Sequence, residues 1–224
     1  MLLFAHRGGR RHAPENTLAA FRGALTRGAT GLESDVRLSA DGVPVLVHDA
    51  RPRRRLRRIT VAETPRRALP TAVPTLAELY AAVGSAVPLS LDVKDVRAAA
   101  PTLEVAREAG ALAQLWLCGS LPDLRHWRAL DPTVRLVLST SRELLDRDRA
   151  GALHELRLLD ATAVNLRDRE WDGDLVAAVR TAGLLTLGWD AHTRRRVRRL
   201  AELGLDGAYG DDVDALLAGS ATAR

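Results

Sequence analysis

Four short stretches of the sequence set ionisable residues at the ends of apolar runs. In "LLFAHRGG", His6 and Arg7 directly follow the run 2–5. In "GLESDV" (31–36), Glu33 and Asp35 are two apart, so an extended strand sends both side chains to the same face. "VPVLVHD" ends its run 43–47 with His48 and Asp49, and "LSLDVK" sets Asp92 and Lys94 on the face opposite Leu89, Leu91 and Val93. The residue types define the chemistry. Three carboxylates offer hard oxygen ligands suited to Mg²⁺ or Ca²⁺ and not to a soft metal. His6 and His48 titrate near neutrality and can act as general acid and general base, in either order. Arg7 and Lys94 can neutralise phosphate oxygens as charge builds in a transition state. Together these are the parts of a phosphodiester-cleaving site. Each also has an ordinary reading, the Glu-x-Asp pair as a strand salt bridge and a post-strand His as a capping or packing residue. His12, His126, His154 and His192 are read in that second way, Trp116, Trp127 and Trp171 as packing residues, and Cys118 as a small strand-end hydrophobe.

Positioning such groups is the task of the elements around them. The pattern predicts strands at 2–5, 31–36, 89–93, 114–118, 134–138, 162–166, 184–188 and 206–209, with a further short run at 43–47 after the turn "ADG". Amphipathic patterns predict helices at 17–28, capped by Asn16 or Thr17, and at 75–83, 96–109, 121–130, 141–157, 173–182, 192–203 and 212–218. Eight strand–helix pairs predict a TIM (β/α)₈ barrel, in which active sites form at the C-terminal ends of the strands. An open doubly wound sheet is the alternative, but no Gly-rich dinucleotide fingerprint follows the first strand. The polar clusters of the first half then share one rim.

The 224 residues, 46% of them hydrophobic, can bury one sizeable core, and residues 1–224 are read as a single domain. No apolar run approaches the roughly 18–20 residues of a bilayer span. "MLLF" lacks the basic region and length of a secretory signal, and a single cysteine suits a reducing compartment, so a cytoplasmic location is expected. The net charge is +5, yet Lys94 is the only lysine, and the six arginines of "RPRRRLRR" (51–58) exceed that net charge by themselves. The basicity is local, and no nucleic-acid partner is expected. A lone lysine in so arginine-rich a chain points to a need for a compact ammonium at position 94.

The stretches "AHRGGRRHAPENTLAAF", "GLESDVRLSADGVPVLVHD", "VPTLAELY" and "LSLDVKD" closely resemble successive motifs of the glycerophosphodiester phosphodiesterase family; "GLLTLGWD" and "ELGLDGAYGDD" are similar to weakened forms of its last two strand motifs. The resemblance implies a TIM barrel of the phosphoinositide-phospholipase-C-like phosphodiesterase type, a divalent metal, and hydrolysis of glycerophosphodiesters to an alcohol and sn-glycerol 3-phosphate. Carried over by position, it makes His6 and His48 the acid–base pair. Glu33, Asp35 and Asp92 become metal ligands, Arg7 and Lys94 phosphate-side cations, and Trp189 a pocket wall. Pro14 and Glu15 would brace the first loop, and Asn16 would start its helix. Three departures stand out: Asp92 replaces the family's usual Glu, the insertion after the His-Asp motif is shortened, and "WDAH" and Gly210-Asp211 replace the usual Trp-Thr-Val-Asn and Thr-Asp. The partner implied is a small-molecule glycerophosphodiester, with peripheral contact to anionic lipid through the arginine run as an extension; the chain gives no oligomeric state.

Two rivals belong to other substrate or function classes. A lysophospholipase D-type hydrolase would use the same scaffold on lysolipids, with the shortened insertion leaving the mouth open. A non-catalytic barrel binding a phosphate ligand or nucleic acid would use the arginines but has no need of the histidine pair and carboxylate set. The arginine run itself reads either as a solvated loop or as an electrostatic funnel for anionic substrates.

Overall fold

The computed structural model describes residues 1–54 and 57–221, with the side chains of residues 53–58 outside the described set. The funnel reading of the arginine run therefore falls largely outside the described residues. Eight strands run parallel: β1 (Leu2–Ala5), β2 (Gly31–Leu38), β6 (Leu89–Val93), β7 (Leu115–Gly119), β8 (Arg135–Ser139), β9 (Ala163–Arg167), β10 (Leu185–Trp189) and β11 (Gly207–Gly210). Their order is β1-β11-β10-β9-β8-β7-β6-β2, and Phe4↔Gly31 and Ala5↔Leu32 pair β1 with β2 to close the barrel. β3 (Pro44–Leu46) adds antiparallel to β2, so His48 returns to the same rim. β4 (Arg53–Arg54) and β5 (Arg57–Arg58) form a separate antiparallel pair. Closure fits the physical rule that a parallel sheet must be covered on both faces.

Period-two alternation sorts the strand side chains. Phe4, Trp116, Cys118, Val137, Ala163, Leu187 and Tyr209 fill the barrel interior, with Phe4 stacked on Tyr209 (centroids 4.7 Å) and edge-on to Trp116 (5.7 Å). Gly31 makes room for this, since a Cβ there would lie 2.6 Å from the Phe4 ring. The outward residues Leu32, Val36, Leu91, Leu117 and Leu136 join the larger core beneath the helices, where Trp127 and Trp171 are buried as expected of packing residues.

The helices are α1 (Leu18–Thr26), α2 (Leu76–Val83), α3 (Ala99–Glu108), α4 (Leu121–Leu130), α5 (Arg142–Arg147), α6 (Arg149–Leu158), α7 (Gly173–Thr181), α8 (Arg194–Glu202) and α9 (Val213–Ser220). Their starts are chemical. Thr17 accepts the Ala20 N–H and Thr75 forms a capping box with Glu78. The single helix predicted over 141–157 is two. Asp148 leaves helical geometry (φ −153°, ψ 68°) and its carboxylate caps α6 at the Gly151 N–H. The segment between β3 and α2 packs Val61, Leu69 and Val73 against Val45 of β3 in a small apolar cluster of its own. Among the described residues no helix is long and apolar enough to cross a membrane.

Candidate active site

The first rim residues owe their placement to a tight turn. Arg7 (φ 50°), Gly8 (φ 78°) and Gly9 (φ 79°) are all left-handed. A Cβ on Gly8 would lie 2.8 Å from that of Ala20, so the turn can press onto α1 only with glycine there. The turn throws His6 and Arg7 back over the barrel mouth. The Arg7 N–H donates to Glu33 Oε2 (2.8 Å), while its Nε faces Asp35 Oδ2 at 3.2 Å as an ion pair without hydrogen-bond geometry. Glu15 braces this loop, accepting from Arg7 (3.2 Å) and pairing with Arg10 (3.5 Å).

Asn16 does not start α1; Thr17 does. The Asn16 side chain is buried between β2 and the loop, where Oδ1 accepts from Ser34 Oγ (2.8 Å) and Nδ2 donates to Asp35 Oδ2 (3.4 Å). Its left-handed backbone (φ 56°) is what turns the amide inward, and asparagine tolerates that conformation better than most residues. Asn16 is a positioning residue for Asp35.

His6 is fixed by a carboxylate from the far end of the chain. Its Nδ1 lies 2.6 Å from Asp211 Oδ1, just beyond β11. The Asp211 carboxyl is held below its ordinary pKa: burial acts to raise it, and His6, His192 and Arg10 together outweigh burial. An ionised carboxylate only accepts, so Nδ1 carries the proton and Nε2 remains for the site, 3.8 Å from Glu33 Oε2. The His6 pKa is raised, because attraction to Glu33 and the bond to Asp211 overcome the cost of burying the charge. His192, read from the sequence as a packing residue, belongs to this network. Its Nδ1 accepts the Asp211 N–H (3.2 Å) and its Nε2 lies 2.7 Å from Asp190 Oδ1. The available signal for Asp211 was a carboxylate directly after the last strand.

The carboxylates stand close together in charge. Burial pushes the Glu33 carboxyl up to about 7, helped by repulsion from Asp35 and Asp92 and opposed by His6 and the Arg7 N–H. Lys94 sits against Asp92 and 3.5 Å from Asp35 Oδ1, and those two carboxylates hold its pKa up despite burial. His48 is more exposed; its Nδ1 meets Asp49 Oδ1 at 3.0 Å and its carbonyl accepts from Arg37 (2.7 and 2.9 Å). Trp189 ends β10 with the Arg167 guanidinium 5.3 Å from its ring centre.

One cavity of about 520 Å³ gathers all eight residues singled out from the sequence: His6, Arg7, Glu33, Asp35, His48, Asp92, Lys94 and Trp189. Its floor is the network in which Ser90 Oγ meets Cys118 Sγ (3.1 Å) and Tyr209 OH (3.0 Å). Burial pushes the Cys118 thiol up to about 12, consistent with an inert packing role. Among the described residues, the group whose ligand atoms lie within 4.8 Å of one another is a different one, His12, Asp212 and Asp214 on the outer rim. There Asp212 is engaged in capping α9 and pairing with Arg11 (3.0 Å), and Asp214 pairs with Arg27 (3.5 Å).

Fold and site together define a TIM barrel with histidines and carboxylates gathered at the carboxyl ends of its strands. Residues 6–114 match the model of the glycerophosphoryl diester phosphodiesterase family. Glycerophosphodiester phosphodiesterase 1 of Homo sapiens is 62% identical over 45 residues, 20% of this chain and 14% of that protein. A glycerophosphodiester phosphodiesterase of Caldanaerobacter subterraneus is 52% identical over 48 residues, 21% of this chain and 20% of that protein. These matched stretches thus span no more than a fifth of those relatives' length. Two solved structures share the fold nearly end to end. An Oleispira antarctica phosphodiesterase in complex with the product sn-glycerol-3-phosphate has a TM-score of 0.87 at 24% identity, covering 99% of this chain and 97% of that one. The glycerophosphodiester phosphodiesterase of Thermotoga maritima has 0.85 at 21% identity, covering 97% of each.

Proposed function

We propose that this chain hydrolyses glycerophosphodiesters to an alcohol and sn-glycerol 3-phosphate, with His6 and His48 as the proton-transfer pair. The observation that carries the reading is the gathering of both imidazoles, three carboxylates and two cations around one cavity at the barrel mouth. Binding of a phosphate ligand alone would not need a histidine whose tautomer is set by a dedicated carboxylate. With Nδ1 committed to Asp211, His6 offers Nε2 to the substrate, and His48 lines the same cavity. One imidazole removes a proton from the attacking oxygen and the other supplies one to the departing alcohol; either order is compatible with the site. Arg7, pinned by Glu15, and Lys94 offset phosphate charge.

By donor chemistry, though not by the spacing of its oxygens, the carboxylate set suits a divalent ion. Glu33, Asp35 and Asp92 are all hard oxygen donors, and their mutual repulsion, which helps drive the Glu33 pKa upward, is what a cation would relieve. Glu33, Asp35 and Asp92 are the residues that would hold it, in competition with Lys94 for Asp92. When bound, such an ion supplies electrostatic stabilisation of a phosphoryl oxygen. The short side chain of Asp92 favours an ion that keeps its waters, which points to Mg²⁺ at least as much as Ca²⁺.

A second reading, lysophospholipase D-type hydrolysis, draws on Trp189 (40% exposed) and Leu144 (54% exposed), two apolar side chains at the cavity mouth. Assay of glycerophosphocholine against lysophosphatidylcholine, each with Mg²⁺, Ca²⁺ or chelator, tests both. Release of sn-glycerol 3-phosphate from the soluble diester supports the first reading. Turnover confined to the lysolipid supports the second, and salt-sensitive ligand binding without any turnover contradicts both.

A further inference from the structure

The cavity has two unlike walls. β1, β2 and β6 supply its charged side, whereas the side built from β8, β9, β10 and the start of α5 carries Ser139, Thr140, Ser141, Leu144, Asn165 and Trp189, none of them charged. Phosphate belongs with the charged wall, so an uncharged part of the substrate faces the other.

Asn165 is the residue on that wall with an unmet need. It lies one place inside the end of β9 with its side chain in the barrel, on the same face as Ala163, and is 7% exposed. Its Oδ1 is buried without a hydrogen-bond partner. Ser139 is its register partner on β8, and the Thr140 N–H is spent on the Asn165 backbone carbonyl (3.2 Å). Among the described hydrogen bonds, none uses the Ser139 or Thr140 side-chain hydroxyl. Buried polar atoms are satisfied in the great majority of cases, so an orphaned carbonyl oxygen beside a ligand cavity marks a place for a donor from the ligand.

We propose that Asn165, flanked by the Ser139 and Thr140 hydroxyls, is a specificity-determining residue that accepts a hydrogen bond from a hydroxyl of the phosphodiester. The inference rests on the proposed hydrolysis and assigns the uncharged wall to hydroxyl-bearing organic groups. Two parts of such a diester carry this chemistry, the glycerol half and a polyol alcohol on the other side of phosphorus. A quaternary ammonium alcohol such as choline has no O–H or N–H left to offer once esterified.

Asn165→Leu keeps the size of the side chain and removes the acceptor. Because it also removes an orphaned polar atom, the variant should keep or raise the wild-type melting temperature. Its kcat/KM should fall about 10–100-fold, mainly through KM, for the substrate whose hydroxyl is read. If the released alcohol is read, glycerophosphoglycerol loses this factor and glycerophosphocholine does not. If the glycerol half is read, both lose it equally, and inhibition by sn-glycerol 3-phosphate weakens while inhibition by inorganic phosphate is unchanged. Asn165→Ala should reproduce the pattern should the leucine disturb folding. Wild-type behaviour of the variant toward both diesters and both inhibitors overturns the proposal. So does an equal weakening of inorganic phosphate and sn-glycerol 3-phosphate, which is the mark of a distorted cavity. Should the wild type hydrolyse neither diester, the activity reading alone fails. Calorimetric titration of wild type and variant with both diesters, sn-glycerol 3-phosphate and inorganic phosphate then reads the same contrasts without turnover.

Discussion

Replacing Asp211 by Asn isolates the contribution of the carboxylate that holds His6. The change keeps shape and removes the charge from a 2.6 Å hydrogen bond to the imidazole. A bond to a charged group contributes about 1.5–3 kcal/mol, and at about 1.36 kcal/mol per decade that corresponds to roughly 10–150-fold in rate. An amide can also present its NH₂ to Nδ1, which would move the imidazole proton to Nε2 and spoil it as a base. Asp211 is not among the residues lining the cavity, so substrate binding should be nearly untouched. Steady-state kinetics on a glycerophosphodiester should therefore show kcat reduced by that factor with KM within about twofold of wild type, taking the same order-of-magnitude allowance. Asp211→Glu, which restores an anionic acceptor at a longer reach, should recover part of the loss. A wild-type kcat in Asp211→Asn, or a loss expressed only in KM, would refute a positioning role for this carboxylate.

Gly8→Ala should cost at least about 1–3 kcal/mol for a left-handed non-glycine residue, with the 2.8 Å approach to Ala20 adding to it; a wild-type urea midpoint would contradict the tight-turn reading. Asp131 accepts from the Thr133 N–H (2.7 Å) and hydroxyl (2.8 Å), the Val134 N–H (2.9 Å) and Arg107 (3.0 Å). Burial acts to raise its pKa, but these bonds outweigh it and hold the carboxyl below the usual range. Its contribution is therefore fully present above the unfolded pKa of about 3.9 and is lost as pH falls through the lower folded value. Asp131→Asn should be less stable than wild type by about 1–3 kcal/mol at pH 7, and the gap should close in strong acid; a gap independent of pH would contradict the assignment. Metal titration of chelator-treated enzyme should show Mg²⁺ at least as effective as Ca²⁺, and a strict Ca²⁺ requirement would refute the argument from Asp92.

The barrel was legible because each strand is a short apolar run bounded by turn residues, and each predicted strand start falls within one residue of the observed one. The sequence predicts one helix over 141–157 because "RELLDRDRAGALHELRLL" keeps its apolar spacing across the break, while Asp148 interrupts it through a cap that periodicity cannot register. The charged wall was readable from carboxylates and histidines at strand ends. Of what positions those groups, the Glu15 brace on Arg7 was readable and the rest was not. Asn16 reads as a helix cap, since its role depends on a left-handed backbone; Asp211 reads only as part of a departure from the family's usual Thr-Asp, and His192 as a capping or packing residue. Barrel closure brings residue 211 beside residue 6, a contact that no local pattern records. Asn165 lay within a strand and carried no charge, so only its unpartnered oxygen beside the cavity distinguishes it.

The hydrolytic reading depends most on the two imidazoles. His6→Ala and His48→Ala, assayed for release of sn-glycerol 3-phosphate with divalent metal present, should each lose on the order of 10²–10⁴ in kcat while melting close to wild type. Turnover near the wild-type level by either folded variant would contradict the assignment of that histidine to proton transfer.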